Sequence, residues 1–379
     1  MRIVVDGIIY SLQKSGGISR VFSEIMPRMC DLDRDLRIHV LLNKRSKQPL
    51  PRHAAIRYQQ TYRVQPFLRP RRFWQNRGDR FKDALNRWVL GDSHGSIWHS
   101  TYYTLPWRWS GPVVVTVHDM IHERYAEAYF QTDADEKTRR IIREAVLRAD
   151  RVIAISHATR NDLVEYYDIP GEKVQVIHLG FNPVFSRPPG ADPVGSPYLL
   201  YVGDRTKYKN FGGLLRAFAA WPKNGEVLLA VAGADWSEEE RKQIEAVGLW
   251  DRIRHLRYPD DAVLRDLYSY ALAFVYPSLY EGFGIPLLEA MSAGCPVLAS
   301  RIPSTLEIGR DVPVYHEPGN WEDLLASFSA LGDETGLAER TVTGREIAGA
   351  FSWDITACRT AALYHDLAGR SPDRGIARP

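Results

Sequence analysis

The run Pro277-Ser278-Leu279-Tyr280-Glu281-Gly282-Phe283-Gly284-Ile285-Pro286-Leu287-Leu288-Glu289-Ala290-Met291 decides the fold. It follows a short apolar and aromatic segment ending near Tyr276, which reads as a buried strand. Two glycines then break the pattern, and Pro286 stands in the first turn of a helix, where proline is tolerated. Gly282 and Gly284 allow the backbone to come close to a ligand. The helix N-terminus behind them offers unpaired N–H groups and a positive dipole end, which suit phosphate. Glu281 lies on the loop and Glu289 about one turn into the helix, within reach of one ligand. Carboxylates accept hydrogen bonds from paired hydroxyls, so sugars and ribose are natural partners. Read alone, the run also fits a plain helix start with a solvated Glu289.

Outward from this run, short β-branched segments alternate with longer amphipathic ones along the whole chain, the pattern of parallel α/β units. Residues 2–6, 36–42, 96–100, 112–119, 151–156 and 174–180 read as strands of a first half, with Ser156 as N-cap of the helix that follows. After a Pro- and Gly-rich stretch at 187–197 the pattern restarts with PYLLYVGD, EVLLAVAG, IRHLRYP, LAFVYPS and PVLAS, each followed by a helical segment. A length of 379 residues exceeds what one core usually organises, so two doubly wound domains are expected, divided near residue 187, with ligands beyond the carboxyl ends of the strands in an interdomain cleft.

The composition, 45% hydrophobic and 25% charged, excludes a disordered or fibrous chain. Cys30, Cys295 and Cys358 are odd in number and far apart, supporting neither a disulfide framework nor a zinc site and fitting a reducing compartment. The N-terminus does not read as a secretory signal, and no stretch reaches the apolar length of a spanning helix. The net charge of +3 conceals an asymmetry: 30 basic against 20 acidic residues up to position 190, then 19 against 26. Much of the basic excess lies in residues 52–87, where ten Lys or Arg, interleaved with aromatics, face only Asp79 and Asp83. Such a patch suits an anionic membrane surface or a phosphate-bearing acceptor, or is simply a solvated loop and helix. No nucleic-acid motif accompanies it, and nucleic acid is not expected as a partner.

The residues of the central run resemble a known family. Glu281 through Glu289 match the E-x7-E motif of retaining GT-B glycosyltransferases of family 4, and Ala290-Met291-Ser292-Ala293-Gly294-Cys295-Pro296-Val297 resembles the family's continuation. The resemblance extends in order through Gly16-Gly17, Thr116-Val117-His118-Asp119, Ile155-Ser156 and Tyr201-Val202-Gly203 leading to Lys209-Asn210. It implies a GT-B fold: α/β, with two Rossmann-like doubly wound domains facing a cleft. Residues 1–187 would bind the acceptor, with a C-terminal helix at about 355–379 packing back on them, and 188–354 would bind the nucleotide-sugar.

The same resemblance assigns roles. Glu281 would contact hydroxyls of the donor sugar, Phe283, Gly284 and Ile285 would present backbone to the sugar and phosphate, and Glu289 would hold the ribose. Arg205 and Lys209 would neutralise the diphosphate. Lys209 is the firmer of the two, because the 203–210 loop departs from the basic pair many relatives carry before Asn and has Tyr208-Lys209 there. Gly16 and Gly17 would approach the donor phosphates and the acceptor. His118, at the end of a buried strand, would lie near the reacting sugar, with Asp119 orienting its imidazole or serving the acceptor.

Two other spacings suggest metal. Asp133-Ala134-Asp135 has a D-x-D spacing but precedes a helix, where acidic residues stabilise the N-terminus, and His118 and His122 lack an evident third ligand. No metal and no cofactor are expected. The resemblance implies hexosyl transfer with retention, by front-face attack assisted by the leaving phosphate. Mannose from GDP-mannose is the first expectation for the donor, with a UDP-hexose such as UDP-glucose or a dTDP-deoxyhexose as alternatives. The acceptor is expected to be a lipid-linked saccharide at the cytoplasmic membrane face, met by a cytoplasmic protein with peripheral contact through 52–87. A sugar-nucleotide epimerase, a phosphorylase and a catalytically silent sugar-nucleotide-binding partner are the rivals, and intact Glu281, His118 and Lys209 argue against the last.

Overall fold

The computed structural model describes residues 1–13, 16–42, 44–60, 95–106 and 109–369. They form two units: Met1–Ile155 with Thr159–His178 and the chain from Trp353 onward, and Ser156–Ala158 with Leu179–Ser352.

The first unit is built on parallel strands β1 (Arg2–Val5), β2 (Arg37–Leu42), β3 (Ile56–Gln60), β4 (Ser96–Ser100), β5 (Val113–Val117), β6 (Arg151–Ala154) and β7 (Val174–Val176), in the order β3-β2-β1-β4-β5-β6-β7. The central strands are buried on both faces: β4 is buried along its whole length, as are all but the first residues of β1, β5 and β6. The Gly17–Leu32 helix buries Val21, Phe22, Ile25, Met26, Met29 and Cys30 at helical spacing.

The last helix, Trp353–Leu367, belongs to this unit and packs along Gly17–Leu32. Arg28 Nε reaches Asp354 at 3.0 Å, His365 Nε2 lies 3.0 Å from Asp33, and Thr356 donates to the His178 carbonyl at 2.9 Å. Between these polar ties Trp353 and Tyr364 are buried in the core.

The second unit carries β8 (Tyr198–Val202), β9 (Leu228–Gly233), β10 (Ile253–Arg257), β11 (Ala273–Tyr276), β12 (Val297–Ser300) and β13 (Val314–His316), all parallel, in the order β10-β9-β8-β11-β12-β13. Leu214, Leu215 and Phe218 of the Phe211–Ala220 helix pack on Leu199, Leu229, Val231 and Val275 of the sheet, with Trp221, Leu324 and Phe328 closing the layer. In each sheet the strand order reverses beside the first strand, between β1 and β4 and between β8 and β11. These are the two topological switch points, where doubly wound sheets hold ligands.

Several sequence expectations shift. The Pro- and Gly-rich stretch 187–197 lies inside the second unit and not at its border, which falls at His178/Leu179. Phe185 just before it is buried edge-on against Tyr268 at 5.9 Å, Asn182 donates to Asp261 at 2.6 Å, and the Gly190 amide donates to Asp266 at 2.8 Å. Proline and glycine mark irregular backbone there, but the backbone is pinned. The border before the last helix falls at Ser352/Trp353. Residues 56–60 of the basic segment form the edge strand β3, and 61–87 lie outside the described residues. The Asp133/Asp135 spacing serves a helix start: Thr132 and Asp135 form a reciprocal capping box on the Asp133–Arg148 helix. His122 packs its ring 4.4 Å from Phe130. Among the described residues no helix is long and apolar enough to cross a membrane.

Because Tyr364 is fully buried and bonded to the sheet, Tyr364→Ala is expected to cost the first unit about 3 kcal/mol or more in urea unfolding. A loss below about 1 kcal/mol, the range of surface substitutions, would mean that the last helix is not part of this core.

Candidate active site

At the switch point of the second unit, the loop after β8 meets the loop after β11. Lys209, at the end of the Lys207–Lys209 turn, places Nζ 2.8 Å from both Oε1 and Oε2 of Glu281. The side chains are 18% and 10% exposed, so the pair is largely removed from water yet still open to it. The Leu279 amide donates to the Tyr208 carbonyl at 2.7 Å, binding the two loops together one residue to either side. Burial pulls the Lys209 ammonium down, but the charge of Glu281, the neighbouring Tyr208 and Asp204 and the hydrogen bond to Glu281 together outweigh it, so Lys209 stays charged. Tyr276, at the end of β11, is held well above the usual phenol range by burial and then by the charge of, and a hydrogen bond to, Glu281.

Gly284 starts the Ile285–Ala293 helix with φ +118°, a conformation that favours glycine, and Pro286 stands in the first turn. Phe283 is buried, edge-on to Phe351 at 6.0 Å. The preceding carbonyl, that of Gly282, accepts from the Ser156 hydroxyl at 2.6 Å, a tie that strand and helix signals did not reveal. The helix is buried on all sides, including Leu287, Leu288, Ala290, Met291 and Glu289. Glu289 is thus not the solvated side chain its charge suggests: it is 4% exposed, with the Tyr268 hydroxyl 3.4 Å from Oε2.

Arg205 is not a surface arginine either. Its side chain is 2% exposed, and Nε donates to Glu240 at 2.7 Å while the guanidinium lies 4.4 Å over the Trp236 ring. The structure therefore brings Lys209 and Glu281 together and holds Arg205 in a separate cluster.

In the first unit, the strand ends around the β1/β4 switch point carry a polar network. Asp6, after β1, accepts from the Ser100 hydroxyl at 3.0 Å and the Thr101 amide at 2.9 Å, and from the hydroxyls of Thr101 and Thr104. Burial raises the Asp6 carboxyl above its usual range, opposed by the Thr101, Thr104 and Ser100 bonds. His99, in β4, contacts Tyr364 at 2.5 Å through Nδ1 and Thr116 at 2.8 Å through Nε2. Sequence reading passed over both residues; the only signal was Asp6 interrupting an apolar run.

His118 follows β5 and is 7% exposed, with Nε2 buried and without a partner among the described residues. Burial alone brings its imidazole down to about 4, and burial with the neighbouring His118 brings His99 down to about 3. Both rings are neutral at pH 7. Asp119 is half-buried and accepts from the Ile121 amide at 3.1 Å, a local turn that fixes the chain leaving the strand. Gly16 is extended and precedes the first turn of the Gly17–Leu32 helix. Among the described residues, a Cβ at Gly17 would meet nothing within 4 Å.

Residues 15–185 match the model of Glycosyltransferase Family 4, and residues 185–343 match that of Glycosyl transferases group 1. The O-antigen chain mannosyltransferase B of Escherichia coli is 28% identical over 291 residues, covering 73% of this chain and 76% of that protein. Among solved structures, the sucrose-phosphate synthase of Thermosynechococcus elongatus superposes with a TM-score of 0.79 at 21% identity, over 98% of this chain and 99% of that one. The Anabaena HepE protein, solved in complex with UDP-glucose, superposes with a TM-score of 0.72 at 18% identity, over 97% and 99%. The molecule is a glycosyltransferase of the GT-B fold. Within that class it belongs to glycosyltransferase family 4.

A neutral buried histidine binds fewer protons folded than unfolded between about pH 4 and 6.5, so its contribution to stability is lost as pH falls through that window. Urea unfolding at pH 7 and pH 5 is expected to show a smaller acid loss in His118→Gln than in the parent. An equal loss would show that His118 is not held neutral.

Proposed function

We propose that the protein is a metal-independent, retaining glycosyltransferase that moves mannose from GDP-mannose to a hydroxyl of a lipid-linked saccharide. The observation that carries the reading is the Lys209–Glu281 pair across the switch point of the second unit. Lys209 is a permanent cation beside a helix N-terminus, so it meets the donor diphosphate and stabilises the charge that grows on it as the sugar departs. Glu281, fixed by both its oxygens, accepts from the sugar hydroxyls. Glu289 takes the ribose hydroxyls, which requires that its contact with Tyr268 yield to the ligand. The sugar–phosphate C–O bond breaks while the acceptor oxygen bonds to the same carbon on the same face, and the acceptor proton passes to the departing phosphate oxygen.

The acceptor is bound by the first unit. Gly17 supports this reading, because among the described residues neither its backbone nor a neighbouring side chain demands glycine there. The unpartnered Nε2 of neutral His118 is an uncharged group suited to hydroxyls of the sugar or acceptor. GDP-mannose is favoured by the relative named as a mannosyltransferase; the HepE complex favours UDP-glucose as the second reading. Residues 52–87 supply peripheral contact with an anionic membrane at its cytoplasmic face, where the lipid-linked acceptor resides.

Glu281→Ala is expected to lower kcat by about a hundredfold or more, as loss of one transition-state contact does, whereas Glu289→Ala mainly raises the donor KM. Small, equal effects would contradict these roles. Calorimetry with GDP-mannose, UDP-glucose, UDP-N-acetylglucosamine and dTDP-rhamnose tests the donor, and tight binding of a UDP-sugar alone would overturn mannose. Gly17→Ala should leave Tm unchanged or higher, since alanine is favoured over glycine in a helix by about 1 kcal/mol, while activity falls; unaltered activity would make Gly17 a plain turn. Replacing Arg69, Arg71 and Arg72 by Ser should weaken binding to anionic vesicles and turnover of a lipid acceptor, and an unchanged result removes the membrane contact.

A further inference from the structure

We infer that Arg205 is a positioning residue that does not touch the donor, and that Glu240 and Trp236 lock its guanidinium so that the loop after β8 presents Lys209. What Lys209 meets rests on the nucleotide-sugar reading above; the brace itself rests on geometry alone.

The guanidinium is occupied on most sides. Nε donates to Glu240 Oε1 at 2.7 Å, and Nη2 donates to the carbonyls of Ala234 and Asp235 at 2.9 Å each, with Glu240 Oε2 at 3.4 Å. Its plane rests on Trp236, whose ring is in turn 4.5 Å from His255 and 5.8 Å from Phe211. Nη1 has no partner among the described residues, yet it is shielded from solvent, so no phosphate oxygen reaches it in this arrangement. A Cβ on Gly233 would stand 3.1 Å from Nη1 and 2.4 Å from the Gly203 carbonyl, which shows how closely Arg205 lies against the ends of β8 and β9.

Glu240 is equally fixed. It is the acidic member of the capping box that starts the Glu238–Ala246 helix, accepting from the Ser237 amide at 2.6 Å while the Ser237 hydroxyl accepts from the Glu240 amide. Burial pushes its carboxyl up, but the bonds from Arg205 and Ser237 outweigh that and hold it below the usual range. Turning Arg205 toward a phosphate would break these bonds and leave Glu240 without its cation, a large cost for a pair so far out of water.

The consequence runs along the loop. Arg205 secures its near end, the Tyr208 carbonyl bonded to Leu279 secures its far end, and Lys209 stands between that bond and the Phe211–Ala220 helix. Lys209 is 18% exposed against 2% for Arg205, so it is the cation within reach of an incoming anion.

A double-mutant cycle tests the brace. Glu240→Gln keeps an N3 side chain able to complete the capping box, so the helix start survives, and Arg205→Ala and the double variant complete the cycle. In the donor-free protein the double variant is expected to lower Tm no further than the worse single one; additive losses would overturn the brace. In steady-state kinetics and in calorimetry with GDP and UDP, all three variants should lose affinity by about the same tenfold, as for one charged hydrogen-bonded pair, with kcat little changed. Arg205→Ala weakening binding far more than Glu240→Gln, or Glu240→Gln binding more tightly than the parent, would make Arg205 a direct ligand and Glu240 its competitor. Should the parent bind neither nucleotide, the donor reading fails, and the thermal cycle still decides the brace.

Discussion

The bidentate contact between Lys209 and Glu281 is the constraint on which the second unit's chemistry depends. A lysine and a glutamate taken largely out of water lose hydration, and they recover it only if both carboxylate oxygens meet the ammonium at short range. That requires the loop after β8 and the loop after β11 to come together at the point where the strand order reverses. Neighbouring backbone contacts do this, with Leu279 bonded to Tyr208 on one flank and Gly284 turning the chain into a helix on the other. On the proposed function, a donor entering here would meet a charged ammonium and an oriented carboxylate already in place, so that little reorganisation accompanies binding.

The first unit solves a different problem. Its switch point is lined with groups that burial keeps uncharged or bonded: neutral His118 and His99, and Asp6 surrounded by three hydroxyls and an amide. Such a surface suits the hydroxyls of a saccharide, whereas the second unit's cation suits a diphosphate. The proposed division of labour between acceptor and donor rests on this electrostatic contrast, and the Trp353–Leu367 helix supplies Tyr364 to hold His99.

The architecture was legible wherever apolar runs were strong. Strands β8, β9, β11 and β12 and the helix behind Gly284 coincide with segments readable from residue pattern, because strands of a parallel sheet buried on both faces are largely hydrophobic. Strand β3, Ile-Arg-Tyr-Gln-Gln, escaped that reading because an edge strand covers less core and tolerates polar side chains. The stretch at 187–197 misled in the other direction: its composition describes backbone irregularity, and contacts from Phe185, Asn182 and Gly190 decide whether an irregular segment is a hinge or a packed loop.

The candidate site divides in the same way. Sequence by itself determined the fold class and the residue types available: a glycine turn at a helix start, a lysine, two glutamates and a strand-end histidine. Residue type and spacing along one element suffice for that, since they depend on local backbone geometry. Only the tertiary structure decided which charges meet. Lys209 and Glu281 are 72 residues apart, Arg205 and Glu240 are 35 apart, and Asp6 and Thr101 are 95 apart. Whether an arginine faces a ligand or braces a loop depends on groups brought from other elements, and packing alone sets that.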